Sequence, residues 1–133
     1  MPFPVEQKWI VETEQKLGIK FPAGFKDSMM QLNGGEVRTS IDLFSLHPFM
    51  DKTDRKRIQR TCNSICRETA TARKWDYFPK ELVVIGSNGG GDLLVLKPKE
   101  TAPSVLEDVI YWWDHETSFV EPIADDFSDL KKT

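Results

Sequence analysis

Apolar positions along the chain follow two periods. Val5, Trp9, Ile10 and Leu17 recur at helical spacing through residues 4–17, with Pro4 in the first turn and Gly18 just past the end, and predict a helix. Phe25, Met29 and Leu32 are spaced by four and three in "AGFKDSMMQL", after Pro22. They predict a second, shorter helix stopped by Asn33, Gly34 and Gly35, residues that tolerate the left-handed conformation of a C-terminal cap. The period changes to two in "IDLFSLHPF", so residues 40–46 read as a strand. Residues 51–74 return to a helical pattern, with a narrow apolar stripe of Ile58, Cys62, Ile65, Cys66 and Thr69 and with Asp51 or Thr53 as the cap. Apolar runs at 81–86, 92–97 and 108–114 read as strands, and "SFVEPIA" as a short strand or turn. "DDFSDLKK" reads as a closing helix, acids first and lysines last, as the helix dipole prefers.

Two helices, a strand, a long helix, a run of strands and a last helix define the α+β class. The expectation is one domain over residues 1–133, with a mixed, mostly antiparallel sheet of about four to six strands flanked by helices. A chain of 133 residues buries roughly two thirds of its unfolded surface and needs no staples.

Composition narrows the function classes. The N-terminus "MPFPVEQKWIVETEQ" has neither a basic n-region nor an apolar h-region, and no run approaches the ~20 apolar residues of a membrane span. A cytoplasmic location is the expectation. The net charge of −3 hides an asymmetry: residues 51–80 carry nine Lys/Arg against four Asp/Glu, while residues 100–133 carry two against nine. Nucleic-acid binders place aromatics among their basic residues, and 51–74 contains none, which argues against a nucleic-acid partner. The acidic C-terminal third suits a basic protein instead.

The candidate chemistry is thin. "IGSNGGGDLLVL" offers a glycine run, but phosphate cradles need the turn to open a helix, and here a strand follows with no Lys-Ser/Thr pair. Gly89 to Gly91 are read as shaping a turn, with Asp92 free to bond nearby backbone amides. Cys62 and Cys66, four apart on one helix, are poorly aimed for a disulfide, and with His47 and His115 they match no usual zinc spacing; no metal and no cofactor are expected. His47 and His115 each read as surface or hydrogen-bonded groups rather than bases, although Asp114 and Glu116 flank His115. No nucleophile with an orienting partner is visible, so the chain reads as no enzyme. Trp112 and Trp113 are adjacent in a strand and must face opposite ways, one into the core and one exposed or covered by a helix. The expected partner face is therefore acidic and aromatic: Trp112, Trp113, Asp114, His115, Glu116, Glu121, Asp125 and Asp126.

Three pieces, in order, resemble the SUKH superfamily of bacterial toxin-immunity proteins and a fungal cell-wall regulator. They are "LGIKFPAGFKDSMMQLNGG" through Phe21, Pro22, Phe25, Asn33, Gly34 and Gly35, "IGSNGGGDLLVL" through Gly91 and Asp92, and "VIYWWDHETSFVEPIADDFSDL" through His115, Ala124, Phe127 and Leu130. The chain departs from the pattern at Asp126, where the family commonly has serine. The resemblance implies an α+β domain that works by binding: an immunity protein holding a basic toxin domain of nuclease or deaminase class, or a regulatory interaction module. A small-ligand or nucleotide domain built on the glycine turn is a third reading.

Overall fold

The computed structural model describes residues 3–132. Helix α1 (Gln7–Leu17) ends where Gly18 turns left-handed at φ 70° and its N–H donates to the Glu14 carbonyl at 2.8 Å. Glu14 is buried and not idle: its Oε2 accepts from the Phe21 N–H at 2.8 Å and lies 3.5 Å from Lys26 Nζ, so the link into α2 (Ala23–Gln31) is fixed from both sides. Phe25 and Met29 of α2 are buried, and Phe25 packs edge-on to Phe127 at 5.1 Å between ring centroids.

The residues read as one long helix form two. Asp54 caps α3 (Arg55–Arg60), accepting from the Arg57 N–H at 2.8 Å, and Ser64 caps α4 (Ile65–Ala72), accepting from the Arg67 N–H at 3.3 Å. Neither Asp51 nor Thr53 is the cap; Asp51 is buried and accepts from the Thr53 N–H and hydroxyl. The two caps start helices ten residues apart, and the 61–64 turn between them breaks the stripe. Ile58 is consequently exposed and α3 buries nothing, whereas α4 buries Ile65, Thr69 and Ala72. Cys62 falls in the turn, exposed, and Cys66 on α4; both are free thiols.

Among the described residues the sheet has seven strands in the order β6-β5-β4-β3-β2-β1-β7, each pairing between them antiparallel. They are β1 (Glu36–Arg38), β2 (Leu43–Leu46), β3 (Val83–Ser87), β4 (Leu93–Leu96), β5 (Ile110–Trp113), β6 (Val120–Ala124) and β7 (Lys131–Lys132). The closing helix expected at "DDFSDLKK" is a single 3₁₀ turn, Phe127–Asp129, followed by β7. Asp126 closes that turn, its Oδ1 accepting from the Ser128 N–H and hydroxyl at 2.9 Å each. So short a segment gains little from helix formation alone. Pairing Lys131 and Lys132 with Arg38 and Val37 satisfies the backbone instead.

Both faces of β3 and β4 are covered, which is why they read as continuous apolar runs. Val83, Ile85, Leu94 and Leu96 face a core shared with Ile10, Phe25 and Met29. Val84, Leu93, Val95 and Trp113 face a second cluster under Ala72, Phe78 and Leu82.

Candidate protein-binding site

The glycine run builds the base of the site. Asn88 Oδ1 accepts from the Gly90 N–H at 2.8 Å and the Asp92 N–H at 3.2 Å, closing the turn into β4. Gly91 has φ 109°, and a Cβ there would stand 2.9 Å from His115 Cγ, so only glycine lets the imidazole lie over the backbone. Asp92 Oδ1 then accepts from the His115 N–H at 3.1 Å and sits 2.5 Å from His115 Nδ1. The hydrogen bond to Asp92 raises the imidazole pKa above its usual value, and the charges of Asp92, Glu116 and Asp114 add to the rise. Burial pushes the Asp92 carboxyl up, but the His115 ring and backbone N–H outweigh it and hold the carboxyl below the usual range.

The β5–β6 connection is rigid. Asp114 Oδ1 accepts from the Glu116 N–H at 2.9 Å, Oδ2 from the Thr117 hydroxyl at 3.1 Å, and the Asp114 carbonyl from the Ser118 N–H at 2.7 Å. The Asp114 N–H donates to the Phe119 carbonyl at 2.9 Å. Within this ring of bonds Ser118 is held at φ 63°, among the described residues the one non-glycine with positive φ. Phe119 follows it and is 65% exposed, the most exposed large apolar residue among those described.

The structure divides the expected face. Asp114, His115 and Glu116 form the tip of the β5–β6 hairpin, and Glu121, exposed, stands opposite Trp112 in the register. Asp125 and Asp126 lie past the other end of β6, six and seven residues on from Phe119 and so about 20 Å from the tip at the rise of a strand, and Asp126 is engaged in capping. Trp113 is 1% exposed, stacked at 5.8 Å on Trp75 and 6.0 Å on Tyr77 and edge-on to Phe78 at 5.3 Å. Trp112 is half-buried against the main core, and its indole N–H is directed toward the Asp92 carboxylate, helping with His115 to hold that carboxyl below its usual range. The two rings do face opposite ways, but what covers Trp113 is the "WDYF" loop. The aromatic residues available to a partner are Phe119 and Tyr77, the latter 59% exposed, and the sequence reading missed both. Phe119 carried a readable signal: a lone aromatic among Asp114, Glu116 and Glu121 in a turn.

The remaining motif residues hold the frame. Pro22 precedes the first turn of α2; Asn33 Nδ2 donates to the Phe49 carbonyl at 2.9 Å while its Oδ1 accepts from the Phe49 N–H at 2.8 Å. Ala124 pairs with Ile110, Phe127 is buried, and Leu130 packs on the core. Asp126 does with its carboxylate what a serine hydroxyl does in a short turn, so the departure there keeps the cap.

Chemically, Asp92 and His115 have the geometry of a base and its orienting acid, and what they grip is the hairpin turn. With Asp114 they place three groups of metal-ligating type within 4.8 Å, but Asp114 already accepts two bonds from its own turn and His115 Nδ1 is directed at Asp92. Cys62 and Cys66 join no such group with His47 or His115 among the described residues. His47, expected to be a surface or hydrogen-bonded group, is buried with Nε2 unpartnered, and burial lowers its pKa. No helix among the described residues is long and apolar enough to cross a membrane.

A sheet with helices packed against it, an Asn-Gly-Gly turn pinned to a neighbouring strand and a Gly-Asp strand start gripping a histidine turn are the parts the sequence set in order. The chain belongs to the SMI1/KNR4 family (SUKH-1), whose model matches residues 4–132. Comparison with curated proteins returned no match.

Proposed function

We propose that this chain is an immunity protein that neutralises a cognate toxin, of nuclease or deaminase class, by direct binding, and that the β5–β6 tip is its partner face. The observation that carries the placement is Phe119, exposed on a turn locked by its own hydrogen bonds and flanked by Asp114, Glu116 and Glu121. An aromatic carried on a fixed backbone costs less ordering on docking than one on a loose loop, and neighbouring acids steer a basic partner. Family membership supports a role in binding of the immunity or cell-wall-regulator type.

The test is co-expression with the partner captured from native cells at low salt. The expected partner is one stoichiometric protein with a basic toxin domain, whose toxicity the chain suppresses. E116K with E121K should slow association by about tenfold at low salt, with less effect at high salt. Unchanged association would remove the face from the hairpin tip. A spread of partners with no toxin among them favours a regulatory module, a reading that the coexistence of basic α3 and the acidic hairpin on one molecule also suits.

A further inference from the structure

The sheet curls until β1 and β6, which have four strands between them in its order, line one hollow of about 550 Å³. Arg38 and Ser40, at the end of β1, form one side, and Ile123 and Asp125, at the end of β6, form the other. Asp129 and Leu130, on the link from β6 to β7, close the end between them. Opposite charges line this hollow without meeting. Among the described residues Arg38, Asp125 and Asp129 take part in no ion pair, and their side chains in no hydrogen bond. All three are exposed at the rim, and Lys131 stands opposite Arg38 in the register, adding positive charge on that side. Ile123, Ala124 and Leu130, half-buried against the main core, supply an apolar floor.

We infer that this cleft binds a small zwitterion of the amino-acid or dipeptide class, its carboxylate toward Arg38, its ammonium toward Asp125 and Asp129, and its apolar side chain on Ile123 and Leu130. The volume lies within the roughly 300–1,000 Å³ of small-molecule sites. A guanidinium takes a carboxylate through paired N–H bonds, and an ammonium is held by carboxylates in turn. A ligand of one sign would meet an attractive group and a repulsive one, whereas a zwitterion aligned across the cleft meets only opposite charges. A longer strand finds no continuous ladder here, since Pro122 has no N–H to give at the middle of β6. The cleft lies beyond the end of β6 remote from the hairpin tip, and its ligand is independent of what that tip binds.

The test is an amide-detected NMR titration of the full chain with alanyl-leucine, its N-acetyl form and its C-terminal amide. Alanyl-leucine should shift the amides of Ser40, Ala124, Asp125 and Leu130 saturably, and either blocked form should bind at least about tenfold more weakly, the loss of one charge-assisted contact. R38Q should bring alanyl-leucine and its amide within about twofold of each other while keeping the preference over the acetylated form. D125N with D129N should do the converse. Both variants replace exposed side chains without partners, so their spectra and melting temperatures should otherwise match the parent. No saturable shift by about 10 mM ligand, equal binding of the blocked forms, or variants that lose affinity without changing these preferences would each overturn the assignment.

Discussion

Asp92, at the start of β4, and His115, in the β5–β6 turn, meet at 2.5 Å across twenty-three residues of chain. Their partnership joins the glycine turn to the hairpin that presents Phe119, and it predicts a pH signature. The folded pKa of His115 is raised, so its contribution to stability is complete below 6.5 and is lost as pH rises through the folded value. Asp92 is lowered, so its contribution is present above 3.8 and lost as pH falls through its folded value. In an NMR titration the His115 ring should show a midpoint above 6.5 that D92N returns toward 6.5; a midpoint at or below 6.5 in the unaltered protein contradicts the pairing.

His47 should titrate the opposite way. Burial lowers its folded pKa, so the unfolded chain binds the proton first and stability falls as pH drops below 6.5 toward the folded value. Urea unfolding from pH 7 to pH 5 should show this loss, and H47F should reduce it; equal slopes in the two proteins would exclude His47 as its source.

Asn33 replaces a piece of strand pairing with a side-chain amide, satisfying both the N–H and the carbonyl of buried Phe49. N33A leaves both without that partner and should destabilise by about 2–6 kcal/mol, at about 1–3 kcal/mol per stranded group. The midpoint in urea should fall with the slope unchanged.

Trp113 and Phe119 should separate stability from binding. W113A empties the slot under Trp75, Tyr77 and Phe78 and should cost about 3–5 kcal/mol. F119A removes an exposed ring and should change stability by no more than about 0.5 kcal/mol while weakening partner binding at least tenfold. Thermal melts beside binding isotherms decide it; a stable F119A that binds normally moves the anchor elsewhere.

Much of the frame was legible in the sequence, because long-period signals are local. α1, α2 and the apolar strands β3, β4 and β5 follow from spacing, glycine and proline. What was illegible depends on distant partners. β1 and β7 are three and two residues long and exist because Val37 finds Phe44 and Lys132. The division of α3 from α4 was legible in Ser64, whose capping role the apolar stripe overrode. At the candidate site, sequence order gave the acids of the tip but not the burial of Trp113, which a loop thirty-six residues upstream decides, nor the separation of Asp125 and Asp126 by the length of β6.

The two margins of the sheet bear on how any partner can attach. β6 is five residues long with Pro122, which has no N–H to give, at its middle, and β7 is a pair of lysines. Neither border offers an uninterrupted ladder for an incoming strand. Backbone zippering with another copy or a passing unfolded chain is thereby discouraged, and recognition is left to side chains, the kind of contact that can change by single substitutions while the scaffold beneath stays as it is.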